Sequence, residues 1–196
     1  MATRKRKSRS TTPGIRRKSS KTKSLPSRPT NARKKKTSER ATFLGLGSNL
    51  GNRFAHLRLA LREIGAIASV VRVSPFFETE PEGYSAQRPF LNAVAEIRTA
   101  MPAADLLAAV KRVERRGGRT PTFRNGPRTI DIDLLDVRGE VASSPQLTLP
   151  HPRLHRRRFA LEPLAAIAPR WRHPLLGKTA RQLLKELNAS LSRRER

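Results

Sequence analysis

"IASVVRVSPFFETEPEGYSAQRPFLNAVAEIRT" occupies residues 67–99. Both ends of this stretch read as strands. Residues 67–79 are β-branched and partly alternating. In 89–99 the apolar Leu91, Ala93, Ala95 and Ile97 fall two apart, and so on one face. No helix lies between the two. A parallel sheet needs a crossover helix between neighbouring strands. Two consecutive strands therefore imply an antiparallel sheet.

Working outward, "ATFLGL" (41–46) is a short strand, and 53–65 is a helix with Phe54, Leu57, Leu61 and Ile64 at helical spacing. Residues 101–118 form a second helix, with Pro102 near its start and glycines after its end. "RTIDIDLLDV" (128–137) is a strand, turned by Gly139. The order β-α-β-β-α-β is the split βαβ plan of ferredoxin-like folds. Two further helices are expected around 156–167 and 178–189. The expected architecture is an α+β, ferredoxin-like sandwich: an antiparallel sheet with helices on its faces and extra C-terminal helices, over residues 41–196.

Residues 1–40 differ. They carry sixteen Lys and Arg against one acid, Glu39, a net +15, and no aromatic residue. Their large aliphatics are Met1, Ile15 and Leu25. Such a segment cannot bury enough apolar surface to offset ordering, which costs roughly 1–2 kcal/mol per residue for the backbone. It is expected to be a disordered basic tail. Three roles stay open for it: a solvated tail with no specific partner, non-specific polyanion binding, or an organelle transit peptide.

The whole chain has 196 residues, 42 Lys and Arg, 15 Asp and Glu, and a formal charge of +27. That balance attracts polyanions: nucleic acid, anionic lipid or phosphorylated metabolites. With no Cys there is no disulfide framework and no thiolate metal site or nucleophile. No apolar run nears the roughly 18 residues of a membrane span, and no secretory signal is visible. A cytoplasmic monomer with no membrane attachment is expected.

"TFLGLGSNLGNR" (42–53) imitates a phosphate-cradling loop. Its glycines at 45, 47 and 51 give G-x-G-x-x-x-G, one residue longer than the dinucleotide fingerprint. A Gly-permitted turn into the first helix, with Asn49 as its cap, is the better reading. "GKT" (177–179) fails as a P-loop end because Arg172 stands where Gly is required.

The chemistry concentrates in "GPRTIDIDLL" (126–135). On a strand Asp131 and Asp133 point the same way, with Ile130, Ile132 and Leu134 toward the core. Paired carboxylates suit a hard divalent cation such as Mg²⁺ together with substrate phosphates; a solvated strand edge produces the same pattern. The preceding loop "GRTPTFRNGPR" adds Arg119, Arg124 and Arg128, whose forks suit polyphosphate oxygens. "LTLPHPRLHRRRFALEPL" (147–164) brings His151, His155 and four arginines. No helix-spaced acid or Cys completes a zinc site there, so phosphate or ribose contacts are favoured.

Taken in order, "FLGLGSNLGNR", "SPFFETEPEG", "PFLNAVAEI", "VERRGGR", "NGPRTIDIDLL", "LTLPHPRLHRRRFALEPL" and "IAP" resemble the 6-hydroxymethyl-7,8-dihydropterin pyrophosphokinase family across roughly 43–169. The resemblance implies transfer of pyrophosphate from ATP to the pterin hydroxymethyl group, in folate biosynthesis, with two Mg²⁺ ions. It implies Asp131 and Asp133 as metal ligands, and Arg119 and Arg128 on the triphosphate in a mobile loop. Glu114, Thr148, His151 and Arg157 match nucleotide-contacting positions. Thr79, Glu80 and Glu82 fall in the pterin loop, Asn92 would hydrogen-bond the pterin ring, and Phe90 and Phe159 would flank it.

The chain departs from some relatives at Pro121 and Asn125, where they carry Arg and Trp; Arg124 is the candidate replacement for the lost charge. The rival class is a basic nucleic-acid-binding protein with a ferredoxin-like domain. The aromatic-rich RNA-recognition strand signature is absent, and "TIDID" would turn an acidic face to a polyanion.

Overall fold

The computed structural model describes residues 39–138 and 140–193. The expectation for the basic tail therefore falls, but for Glu39 and Arg40, outside the described residues. The elements are β1 (Arg40–Ser48), α1 (Arg53–Gly65), β2 (Ser69–Val73), β3 (Phe77–Thr79), β4 (Phe90–Thr99), α2 (Ala103–Arg116), β5 (Asp131–Val137), β6 (Ala142–Ser143), β7 (Thr148–Leu149), α3 (Arg158–Ile167) and α4 (Ala180–Ser192). A 3₁₀ turn, Leu154–Arg156, leads into α3.

The main sheet runs β2-β4-β1-β5, with β3 also paired to β4. Every pairing is antiparallel. This is the expected split βαβ order, with the sequence-distant β1 and β5 brought side by side.

The predicted strand 67–79 is in fact two. Pro75 has no N–H to donate to a ladder, and the break falls at Ser74, Pro75 and Phe76. Ser74 repairs it from both sides: its N–H donates to Val94 O at 2.9 Å, and its Oγ accepts from Val94 N at 3.0 Å.

Both faces of the sheet are covered. Leu44, Leu46, Leu91, Ile97, Ile130, Ile132 and Leu134 pack with Leu57 and Ile64 of α1 and Leu106 and Val110 of α2. Phe43, Val94 and Leu135 pack with Ala160, Leu161 and Leu164 of α3 and Leu183 of α4. Each fully buried aliphatic side chain contributes about 1.5–3 kcal/mol.

In β5 the register against β1 shifts, so that Leu44 faces Leu134 while Phe43 faces Asp136. The extra residue is Leu135. A bulge reverses the alternation beyond it, which places Asp136 against Trp171 (Nε1 donates to Oδ2 at 2.9 Å). Among the described residues no helix is long and apolar enough to cross a membrane.

Candidate active site

The α3/α4 face of the sheet stays open at one set of strand ends. There β1 contributes Gly45 and Gly47, β4 contributes Phe90 and Asn92, and β5 contributes Asp131 and Asp133. Thr79, Glu80 and Glu82 wall one side, and Arg128, Arg157 and Phe159 another, around a solvent-open cleft of about 620 Å³. The alternation read from "TIDIDLL" holds: Ile130, Ile132 and Leu134 are buried in the core, and both aspartates face the cleft.

Sequence spacing placed no cation beside the aspartates on their own strand. The fold supplies three from elsewhere. Arg119 Nη1 donates to Asp131 Oδ1 and to Glu114 Oε1, each at 2.5 Å. Arg128 Nε lies 3.5 Å from Asp131 Oδ2. Arg157 Nη1 donates to Asp133 Oδ2 at 3.3 Å, and its Nε lies 3.9 Å from Glu82 Oε2. Burial pushes the Asp131 carboxyl up, but Arg128, Arg119 and Lys111 outweigh it and hold it below the usual carboxylate range.

Glu114 is a hub at the buried end of α2. Its Oε1 accepts from Ile132 N at 2.6 Å and from Lys111 Nζ at 2.8 Å, as well as from Arg119. Burial dominates its surroundings and raises its carboxyl despite these donors. His151 sits 3.3 Å from Arg157 Nη1. Burial, followed by the opposed effects of Asp133 and of the neighbouring arginines, lowers its imidazole.

Beyond Arg128 the cleft opens into a wider basin of about 1190 Å³, lined by Lys111, Glu114, Arg119, Arg124, Arg128 and Arg153 among others. Arg124 thus lies in the basin, in reach of the role suggested for it. On the cleft side Asn92 Nδ2 donates to Thr79 Oγ1 at 2.7 Å. Arg128 stacks over Phe90 at 5.3 Å, and Arg157 over Phe159 at 5.2 Å. Thr148 stands apart from this gathering: it is exposed on β7 and lines neither the cleft nor the basin.

Asn49 corrects an expectation. The cap of α1 is Asn52, whose Oδ1 accepts from Ala55 N at 3.0 Å. Asn49 is fully buried and braces the arginine loop instead. It exchanges backbone and side-chain bonds with Arg128 (Arg128 N to Asn49 Oδ1 at 2.8 Å, Asn49 N to Arg128 O at 3.1 Å). Its Nδ2 donates to Gln87 Oε1 and Arg88 O. Gln87 in turn donates to Asn125 O at 2.8 Å, and Tyr84 meets Phe123 edge to face at 5.0 Å. The loop before β4 and the loop before β5 are therefore tied together.

The sequence reading put Gly45 and Gly47 in a turn, but both lie within β1, and the turn's positive φ falls at Gly51; it took Asn49 as a cap and Asn125 as a departure from relatives, and passed over Gln87. The alternation of β1 carried a signal for the glycines, since Gly45 and Gly47 share the strand face that Phe43 occupies. A Cβ on Gly47 would come 2.8 Å from Asn92 Oδ1. Asn125 holds a positive φ of 60°, which Asn tolerates better than most residues.

Fold and site together define a ferredoxin-like domain whose acids and arginines converge on one cleft. The family description 7,8-dihydro-6-hydroxymethylpterin-pyrophosphokinase (HPPK) matches residues 43–169, and the chain belongs to that family. It is 42% identical over 127 residues to the 2-amino-4-hydroxy-6-hydroxymethyldihydropteridine pyrophosphokinase of Bacillus subtilis, covering 64% of this chain and 76% of that one. The enzyme of the same name from Aquifex aeolicus is 35% identical over 144 residues, covering 74% and 90%. Among solved structures, wild-type Plasmodium falciparum HPPK-DHPS superposes with a TM-score of 0.63 at 15% identity, covering 80% of this chain. That likeness concerns the fold, and this chain spans 46% of that longer one.

Proposed function

We propose that this chain transfers pyrophosphate from ATP to 6-hydroxymethyl-7,8-dihydropterin, giving AMP and the pterin diphosphate. The observation that carries the reading is the placement of Asp131 and Asp133 on one face of β5, among three arginines drawn from other elements.

The pterin would enter between Phe90 and Phe159, with Asn92 turned to its ring and the backbone of Thr79, Glu80 and Glu82 beside it. Support comes from the shared cleft of these residues and from the width that Gly47 leaves in front of Asn92. The triphosphate would lie along the basin on Arg119 and Arg128, with Glu114, His151 and Arg157 toward the nucleotide. The place of Thr148 in that group rests on the family resemblance alone. The Nε atoms of Arg128 and Arg157 are buried without a hydrogen-bond partner among the described residues, and a phosphate oxygen would satisfy them.

The donor set fits Mg²⁺. Two carboxylates supply hard oxygen ligands and leave the remaining positions to phosphate and water. Asp131 and Asp133 would hold it, two ions by the family resemblance, and bound there it would neutralise charge developing on the phosphates. The pterin hydroxyl oxygen attacks the β-phosphorus in line; that O–P bond forms as the bond from the β-phosphorus to the bridging α-phosphate oxygen breaks, AMP leaves with that oxygen, and the hydroxyl proton passes to water. Arg119 and Arg128 exchange their carboxylate partners for phosphate oxygens and hold the chain straight.

The proposed state is a cytoplasmic monomer without membrane attachment; a chain free of Cys suits a reducing compartment. The deciding experiment incubates protein, Mg²⁺, ATP and the hydroxymethyldihydropterin and resolves the nucleotides. Pterin-dependent AMP is expected. ADP instead, or no pterin-dependent AMP, would refute the reading.

A further inference from the structure

The main sheet ends at β5. On its inner side this strand pairs with β1, where Asp131 faces Gly47, Ile132 faces Leu46 and Asp133 faces Gly45. On its outer side no strand pairs with it among the described residues. In an antiparallel ladder successive residues turn their N–H and C=O groups to opposite edges. Ile132, the residue between the two aspartates, turns both groups outward, to side chains of α2. Its side chain is fully buried, and an unpaired backbone group buried away from water is costly.

Two side chains of α2 take the place of the missing strand. Glu114 Oε1 accepts from Ile132 N at 2.6 Å, and Lys111 Nζ donates to Ile132 O at 3.0 Å. The two lie three residues apart, on one face of the helix, and bond one another at 2.8 Å. Lys111, Glu114 and Ile132 thus close a ring on the open edge of β5. The same Glu114 oxygen also accepts from Arg119, which holds Asp131 Oδ1. The proposed reaction draws Arg119 away to a phosphate. Lys111 is the cation that then remains to keep Glu114 on Ile132.

We propose that Lys111 is a positioning residue for the aspartate pair. With Glu114 it clamps the backbone between Asp131 and Asp133, and so fixes the spacing at which the two carboxylates are presented. It acts through the strand, as partners behind a metal ligand do when they orient it. The inference rests on the reading of Asp131 and Asp133 as the Mg²⁺ pair.

Two measurements on the full-length chain test it. Protein-bound Mn²⁺ is followed by electron paramagnetic resonance with the α,β-methylene analogue of ATP, whose α–β link cannot break. Hydrogen exchange at the Ile132 amide is followed by NMR without metal. In Lys111→Met the Mn²⁺ affinity is expected to fall roughly 10–100-fold, and Ile132 exchange to quicken about tenfold. Turnover should fall with the pterin KM unchanged. Lys111→Arg, which keeps a donor for both acceptors, should recover most of each loss. Unchanged Mn²⁺ affinity in K111M would overturn the proposal, whatever the exchange rate. So would lost affinity with unchanged exchange at Ile132, which would make Lys111 a direct contact of the nucleotide. A wild-type chain that binds no Mn²⁺ with the analogue would end the proposal together with the reading of the metal pair. If K111M fails to fold, K111Q, whose shorter amide cannot span both acceptors, is read in the same way.

Discussion

At the scale of single residues, the aspartate pair carries the proposed chemistry, and the arginines around it keep two like charges tolerable on neighbouring positions. Asp131→Asn and Asp133→Asn keep the side-chain shape and remove the charge. Each is expected to cut turnover by about two to three orders of magnitude, the usual loss for a preorganised electrostatic group. Pterin affinity should change little, as calorimetry with the pterin alone would check. Gly47 makes a separate prediction. A methyl there would press on Asn92 Oδ1 from 2.8 Å and narrow the cleft. Gly47→Ala should raise the pterin KM about tenfold, in line with overpacking costs of roughly 1–3 kcal/mol, and leave the ATP KM within a few-fold. Steady-state kinetics in each substrate separates the two.

At the scale of elements, much of the fold was legible because hydrophobic period and strand order agree. The alternation of Ile130, Ile132 and Leu134 with Asp131 and Asp133 was enough to assign both faces of β5 as far as Leu134, where the bulge at Leu135 reverses it. What escaped was decided by partners far along the chain. Asn49 looked like a cap because Asn next to a helix start usually is one; its partner Arg128 is a loop residue that local sequence could not bring near. The single strand predicted over 67–79 ignored the cost of Pro75 within a ladder. Ser74 covers that break by holding Val94 N–H. Ser74→Ala would leave this buried donor unsatisfied and should lower stability by about 1–3 kcal/mol, measured by urea unfolding with catalysis as the control.

At the scale of the whole molecule, Asp136 makes folding sensitive to pH. Burial, only partly offset by Trp171 and Arg138, raises its carboxyl above the ordinary value. The folded chain therefore holds this proton longer than the unfolded chain, whose Asp titrates at about 3.9. The group's contribution to stability is complete below that pH and is lost as pH rises through the higher folded value. Asp136→Asn keeps an acceptor for the Trp171 N–H and abolishes the titration. Its unfolding free energy relative to wild type should therefore improve as pH rises above about 4; a constant difference would contradict this. The ties between the two loops, Gln87 to Asn125 and Tyr84 to Phe123, have a consequence of another kind. On the proposed assignment one loop faces the pterin and the other the nucleotide. Thermodynamic reciprocity then makes their binding a shared quantity: whatever factor the nucleotide lends to pterin affinity, the pterin returns to the nucleotide.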